Sequence, residues 1–422
     1  MAKHTQDQLV TITPRWDRPA VATGKGETHL VLSIAIAKPR KRAPRPAVDV
    51  AFVIDRSGAM SGRPLELAKR GAIAAIDLLG DSDGVAVVAY DDQITTISPL
   101  TPATPANRKH LAKALRGLET RGSTNLFGGW MCGCEHLAHP EFGVAGRLRR
   151  TILLTDGMAN VGPIDQFQIS RHVAEQRMGG VSTSTLGLGT GIDEALLSGM
   201  AEAGGGNFAF TDNARDLPAF FARELGEALS VVASEAVLTL TLPKGVRGRL
   251  LNPFPIERTG KRLSIALGDL PAGMTLDLVF GITSRTRTVG PFPPLELTAE
   301  WRPVESGAAR ERVQAPVDTL MAVDPADFAS MPRDEKAAAA VARMVTDDAR
   351  RTALQHYRSG DIQAARMSLS NARFMAMSAP ASAGVVSEID EMMAFDPASA
   401  EFQLRSRQIE NDAHRRSRGR EA

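Results

Sequence analysis

The sequence predicts an α/β fold whose main domain is a doubly wound, mainly parallel sheet. Between residues 48 and 232, apolar segments of strand length alternate with segments of helical periodicity, an alternation that favours parallel strands covered by helices on both faces. The first strand, Val48–Ile54, is an almost continuous apolar run of the kind that is buried on both faces. One tight connection, at 91–93, joins two strands as a hairpin and makes one edge strand antiparallel.

The elements of this domain follow one another at regular intervals. The remaining strands are predicted at 85–90, 94–99, 151–155, 181–188 and 207–211. The helices are predicted at 64–79, 105–118, 126–136, 166–178, 194–203 and 217–231. Pro64 suits the opening turn of the first helix, because proline lacks the amide hydrogen that this turn leaves unbonded.

A β-sandwich is predicted on either side of this domain. Residues 235–302 contain four segments of alternating or β-branched character, separated by proline and glycine turns. Four strands are too few for a comfortable sandwich, and the segment Thr28–Ala37 could supply another, in an N-terminal region that otherwise looks irregular. The α/β domain is therefore expected to be inserted in the sandwich. We predict four parts of the chain. They are an N-terminal segment at 1–47 that contributes a strand to the sandwich, the α/β domain at 48–232, the β-sandwich at 233–315, and a C-terminal helical region at 316–422.

The C-terminal region is rich in alanine, arginine and methionine at helical spacing. Residues 334–377 look like a single helical hairpin of tetratricopeptide type, with Gly360-Asp361 at the turn. A lone hairpin of this class needs a neighbour to bury its faces, so we expect it to dock on another domain. Further helices are predicted at 386–393 and 400–413, followed by a basic tail at 414–420.

Composition favours a globular protein of the cytoplasm. The formal net charge of the 422 residues is +2, which does not indicate a nucleic-acid binder. The basic tail and the basic run at 38–42 are interpreted as a chain end and a linker. Cys132 and Cys134 are the two cysteines, and a disulfide between them would be badly strained. The sequence shows no secretory signal and no membrane-spanning segment.

Polar residues follow three predicted strands or loops of the α/β domain. Asp55 and Ser57 come directly after the first strand, Thr124 lies in a loop before a helix, and Asp156 ends the central strand. In open α/β sheets, ligands collect at the carboxyl ends of the strands. Carboxylate and hydroxyl oxygens suit a hard cation, and a site that keeps several waters suits Mg²⁺ best. The pair Asp91-Asp92 is interpreted as part of the hairpin turn.

These three segments closely resemble the von Willebrand factor type A (VWA) family, a Rossmann-like fold. The family carries a metal-ion-dependent adhesion site (MIDAS) written Asp-x-Ser-x-Ser, then a threonine in a second loop and an aspartate in a third. Asp55, Ser57, Thr124 and Asp156 match these positions. The segments Gly122–Leu126, Leu153–Asn160 and Met200–Phe208 look like the bacterial branch. The flanking sandwich is similar to that of bacterial and inter-α-inhibitor-like members.

One position departs from the family pattern. Ala59 stands where the family has its second serine, so the site lacks one hydroxyl ligand. A water molecule could fill that place, since Mg²⁺ commonly keeps several waters. The substitution predicts weaker binding of Mg²⁺ or Mn²⁺, or a site that holds no metal.

The resemblance implies an interaction protein and not an enzyme. In the family, an acidic side chain of a partner fills the open coordination position of the metal, and many bacterial relatives act beside AAA+ ATPases of the MoxR type. Two alternatives stay open at this point. One is a metal-dependent hydrolase using Asp55 and Asp156; the other is a metal-independent scaffold with a degenerate site. The helix segment Trp130–His136 contains soft metal ligands but is interpreted as core packing.

Overall fold

A computed structural model describes residues 9–38, 47–138, 147–156, 158–189, 191–304, 309–377 and 383–394. The chain opens with three strands, β1 (Val10–Trp16), β2 (Ala20–Ala22) and β3 (Gly26–Ile36). The expectation that this region is irregular apart from one strand is therefore wrong. Pro14 interrupts the alternation of β1 and hides it in the sequence, but β1 is an edge strand, where proline is tolerated.

The α/β domain has six strands and six helices. Its strands are β4 (Val48–Asp55), β5 (Gly84–Tyr90), β6 (Ile94–Pro102), β7 (Leu148–Thr155), β8 (Val181–Leu188) and β9 (Gly205–Thr211). Its helices are α1 (Arg63–Leu78), α2 (Pro105–Arg116), α3 (Leu126–Ala138), α4 (Gln166–Met178), α5 (Glu194–Gly204) and α6 (Leu217–Leu229). The predicted fold class is confirmed: the sheet order is β6-β5-β4-β7-β8-β9, and β6 alone is antiparallel to its neighbour.

The strand order reverses in the middle of this sheet. From β4 the chain proceeds to β5 and β6 on one side, and β7, β8 and β9 are added on the other. Every residue of β4 is buried, because helices cover both faces of the sheet. A reversal of this kind leaves a crevice at the carboxyl ends of the two central strands, which is where α/β sheets bind ligands.

The remaining strands form a sandwich around the inserted domain. They are β10 (Val231–Thr241), β11 (Val246–Leu250), β12 (Ile256–Thr259), β13 (Arg262–Pro271), β14 (Thr275–Ser284), β15 (Gly290–Pro291), β16 (Glu296–Pro303), β17 (Glu311–Ala315) and β18 (Met321–Val323). One sheet has the order β1-β3-β14-β11, the other β12-β13-β10-β16-β17, and a small third sheet pairs β15, β18 and β2. Since β3 pairs along its length with β14, the sandwich is built from both sides of the insertion, as predicted.

Four helices end the described part of the chain. They are α7 (Pro325–Ser330), α8 (Glu335–Arg358), α9 (Ile362–Met377) and α10 (Ala383–Ala394). As expected, the hairpin of α8 and α9 docks on a neighbour: Val341 and Met344 of α8 pack on Val31 and Val279, on the outer face of the sandwich. Residues 39–46 of the predicted linker, the predicted helix at 400–413 and the basic tail lie outside the described residues. None of the described helices is both long and apolar enough to cross a membrane.

A buried arginine joins the two main units. Arg150 of β7 is 2% exposed, and its guanidinium donates to Glu224 Oε1 of α6 at 2.8 Å. The same group donates to the Ser182 hydroxyl of β8 at 3.1 Å and lies 3.6 Å from Asp269 of the sandwich strand β13. Burying a charge is costly unless it is paired, so this ion pair fixes α6 against the centre of the sheet.

We expect Glu224→Ala to lower the free energy of unfolding by about 3 kcal/mol, because it removes the carboxylate that is hydrogen-bonded to the buried Arg150 and leaves the more distant Asp269 to balance the charge. Urea denaturation measures the change. The matched control is Glu175→Ala, which breaks an exposed pair with Arg171 and should cost no more than about 0.5 kcal/mol. Equal losses in the two variants would contradict a structural role for the buried pair.

Candidate metal centre

The crevice at the strand reversal holds both predicted carboxylates. Asp55 is the last residue of β4 and is fully buried; Asp156 directly follows β7 and is 7% exposed. Since β4 and β7 are neighbours in the sheet, both side chains leave the same edge. Burial is the main reason that the pKa of Asp55 is raised, and the charge of Asp156 adds to the shift.

Three donors hold the Asp55 carboxylate in place. Its Oδ1 accepts a hydrogen bond from the Ser57 amide at 2.8 Å. Its Oδ2 accepts from the Thr155 hydroxyl at 2.6 Å and from the Tyr90 hydroxyl at 3.3 Å. Neither Thr155 nor Tyr90 was predicted as a site residue. A signal for both was present, because each is the last residue of a strand, and the parallel register places Tyr90 beside Asp55.

Burial makes the site unfavourable for its own charges. Burial raises the pKa of Asp55, although hydrogen bonds from Thr155 and Ser57 oppose the shift. Burial likewise raises the pKa of Asp156, opposed by the hydrogen bond that Asp156 Oδ1 accepts from the Met158 amide at 3.0 Å. A raised carboxyl pKa means that the anion is less stable than in water. A cation beside both groups would offset this cost.

The Ser57 hydroxyl is the polar group that best tests whether a cation fits this site. It is buried, and it makes no hydrogen bond of normal geometry with the described residues. An unsatisfied buried hydroxyl is costly, and native structures seldom leave one without a reason. The hydroxyl lies close enough to Asp55 to lower the pKa of that carboxyl. A hydroxyl oxygen beside the Asp55 carboxylate, at a crevice that also holds Asp156, fits a hard divalent cation such as Mg²⁺.

Backbone hydrogen bonds join the second loop to the other two. The Gly58 amide donates to Gly122 O at 3.1 Å, and this bond ties the first loop to the second. Thr124 is held by the third loop: its amide donates to Asn160 Oδ1 at 2.7 Å, and its carbonyl accepts from the amides of Asn160 and Val161, both at 3.1 Å. The structure therefore brings all three predicted loops together at the crevice.

Asp91 reinforces the connection between the first two loops. As expected, it belongs to the hairpin turn, where its Oδ1 accepts from the Gln93 amide at 2.7 Å. Its Oδ2 also accepts from Arg56 Nε of the first loop at 2.8 Å and from Arg121 Nε of the second at 2.6 Å. Burial alone would raise the pKa of Asp91, but the bonds from Arg121, Gln93 and Arg56 lower it overall. This ionised carboxylate connects the first two loops and is not a candidate metal ligand.

Ala59 lies on the open side of the site. It belongs to a short 3₁₀ turn, Gly58–Met60, in which Met60 is buried and Ala59 is exposed. Water therefore reaches the position that the family's second serine would occupy. Ser61 is also exposed and does not cap α1, whose N-cap is Gly62.

Other ligand-type residues do not form a second metal site. Within the described ranges, no three side chains of His, Cys, Asp and Glu come together as a cluster that could hold a metal. Cys134 is buried in the core, where burial raises the pKa of its thiol to about 12. His136 Nε2 lies 3.0 Å from the exposed Thr96 hydroxyl. This favours packing over zinc binding for the Trp130–His136 segment.

Comparison with known proteins agrees with the geometry. Residues 49–223 match the family model for the von Willebrand factor type A domain. The chain carries a VWA domain. This result confirms the resemblance on which Asp55, Ser57, Thr124 and Asp156 were chosen, while their role as metal ligands remains a prediction.

Relatives of this VWA protein occur in bacteria and animals. It is 29% identical to the protein YfbK of Escherichia coli (strain K12) over 278 residues, which are 61% of this chain and 45% of that one. It is also 29% identical over 195 residues to inter-alpha-trypsin inhibitor heavy chain H4 of Bos taurus, covering 44% of this chain and 21% of the relative. The chain thus spans less than half the length of either relative.

The fold as a whole also has a counterpart. A von Willebrand factor type A structure from Catenulispora acidiphila superposes with a TM-score of 0.73, covering 98% of both chains at 17% sequence identity. At that identity, the likeness shows a shared fold. It includes the sandwich and the C-terminal helices as well as the VWA domain.

We expect Asp156→Asn to raise the free energy of unfolding of the metal-free protein by on the order of 1 kcal/mol, because it removes a buried charge beside Asp55. The amide oxygen can still accept from the Met158 amide. Thermal unfolding in the presence of a chelator measures the effect. Asp165→Asn, at the exposed N-cap of α4, is the control and should change little. A destabilised Asp156→Asn protein would show that the charge is compensated in some other way.

Proposed function

We propose that Asp55, Ser57, Thr124 and Asp156 hold a divalent cation, Mg²⁺ or Mn²⁺, together with water molecules. The observation that carries this proposal is the buried Ser57 hydroxyl, which makes no hydrogen bond of normal geometry with the described residues and lies beside Asp55, at a crevice where burial raises the pKa values of Asp55 and Asp156. A cation would satisfy the hydroxyl and neutralise the carboxylates at once. Because Ala59 is exposed, a water molecule can take the place of the missing serine.

The protein's function is then to bind an acidic side chain of a protein partner. VWA domains commonly serve as protein-interaction modules, and a cation held by few protein ligands keeps a position open for a carboxylate. The surface beside the site is suited to contact with a protein. Three large apolar side chains follow Asp156 and are more than half exposed: Met158 (51%), Ile164 (60%) and Phe167 (78%). All three belong to the segment that leads from Asp156 into the first turn of α4, and exposed apolar surface near a site is typical of interaction surfaces.

The loop that carries these side chains is fixed in place. Asn160 and Val161, between Met158 and Ile164, are bonded to Thr124 O on the second loop. The hydrogen bonds hold this loop in one conformation, so the loop loses less conformational entropy when a partner binds. An acidic residue flanked by large apolar residues would satisfy the cation and this surface together. Family resemblance adds a specific candidate, an AAA+ ATPase of the MoxR type in the cytoplasm.

Binding is better supported than metal-dependent hydrolysis. A hydrolase would need a general base near the cation. The polar groups around Asp55 are poor bases: Arg56 is engaged with Asp91, and burial raises the pKa of Tyr90 well above its ordinary value. A metal-independent scaffold remains the alternative outcome of the titration described next.

Calorimetric titration of the chelator-stripped protein with Mg²⁺ and Mn²⁺ tests the proposal. We expect saturable binding to the wild-type protein and none to Asp156→Ala. Ala59→Ser should bind Mg²⁺ more tightly, by roughly threefold to tenfold, because it restores a hydroxyl ligand. Circular dichroism checks that the variants are folded.

Two results would contradict the proposal. Absence of metal binding by the wild-type protein would mean a degenerate site and a metal-independent scaffold. Binding that persists unchanged in Asp156→Ala would place the cation elsewhere.

A further inference from the structure

A second concave site lies in the sandwich, outside the VWA domain. A cavity of about 590 Å³ opens where the start of β3, the start of β11 and the end of β14 meet. Its size falls in the range of small-molecule pockets. The α/β sheet that carries Asp55 and Asp156 contributes no residue to its lining.

The strand register explains why three distant segments converge here. Ser284 of β14 pairs with Val246 on one side and with Gly26 on the other, so these residues form one row across three neighbouring strands. The positions adjoining this row carry Arg247, Arg285 and Lys25. One cation therefore reaches the cavity from each of the three segments.

These three cations have no ion-pair partner among the described residues. None of Lys25, Arg247 and Arg285 forms an ion pair with a carboxylate of the described residues. Glu27 is the sole acidic side chain of the lining, and it too makes no ion pair within the described ranges. Three positive charges against one negative charge leave an excess of two. Clefts lined by one sign of charge concentrate oppositely charged ligands.

The floor of the cavity leaves room for a ligand. Gly26 and Gly245 contribute no side chain, and, apart from the chain neighbours, no heavy atom lies within 4 Å of the position that a Cβ atom would take at Gly245. The Ser284 hydroxyl is buried and donates to Gly245 O at 3.0 Å, so it fixes the turn before β11. The Thr283 side chain beside it is exposed and adds a hydroxyl to the wall.

We propose that this cavity is a binding site for a small ligand carrying phosphate groups with at least two negative charges. Arginine guanidinium groups match the geometry of phosphate oxygens and bind them through paired, charge-assisted hydrogen bonds. Arg247 and Arg285 supply the two guanidinium groups, and Lys25 adds a third positive charge. The lining contains no aromatic side chain, so recognition is of the phosphate groups and not of a nucleotide base.

Titration calorimetry with pyrophosphate and tripolyphosphate tests the site. Asp156→Ala serves as the background protein, in chelator and without divalent cations, so that the metal site takes no part. We expect one saturable site. Arg247→Gln and Arg285→Gln should each weaken binding about tenfold, the effect of losing one charge-assisted contact. The control is Arg262→Gln, an exposed arginine of the other sandwich sheet without an ion pair to the described residues, which should bind like the background protein.

Three outcomes would overturn the inference. These are no saturable binding, binding that Arg247→Gln and Arg285→Gln leave unchanged, and an equal loss in Arg262→Gln. Citrate provides a further comparison, because it carries a similar charge on carboxylates. Binding of citrate as tight as that of tripolyphosphate would contradict phosphate recognition.

Discussion

The antiparallel pairing of β3 with β14 is the interaction on which the rest of the architecture depends. It joins residues 26–36 to residues 275–284, on opposite sides of the VWA domain, and so closes the sandwich around the insertion. The same two strands supply Val31 and Val279, on which α8 docks, and they form two walls of the basic cavity. Without this pairing, the four-stranded sheet would divide into the pairs β1-β3 and β14-β11, and an isolated two-stranded pair is marginally stable at best.

The VWA domain is tied firmly into this frame. Arg150 connects the strand that leads to Asp156 with α6 and with Asp269 of the sandwich. Asp91 accepts hydrogen bonds from the first and second loops, and Asn160 of the third loop accepts one from the Thr124 amide of the second. Binding sites work best when their groups are held in position by a second layer of contacts. These contacts therefore hold the polar groups of the crevice in position before a ligand binds.

The crevice itself lowers the stability of the protein. Burial raises the pKa values of Asp55 and Asp156, and the buried Ser57 hydroxyl makes no hydrogen bond of normal geometry with the described residues. Such local costs are typical of functional sites, where residues are arranged for a ligand and not for the fold. The exposed apolar side chains of Met158, Ile164 and Phe167 fit the same interpretation. Cation and partner would each relieve part of the cost.

The sequence by itself determined the α/β architecture and the insertion, and it predicted Asp55, Ser57, Thr124 and Asp156 as ligands at the crevice. Periodicity reveals strands and helices because it reflects which face is buried, and Asp55, Thr124 and Asp156 stand at recognisable strand ends and loops. Only the tertiary structure decided the contacts that depend on register. These contacts join residues that lie far apart in the chain. They are the bond of Tyr90 to Asp55, the bond between Asn160 and Thr124, the ion pair of Arg150 with Glu224, and the convergence of Lys25, Arg247 and Arg285 on one cavity. β1 was missed because Pro14 breaks its pattern, and its place is set by pairing with β3. Local sequence records burial, but which strand lies beside which is decided by packing across the whole fold.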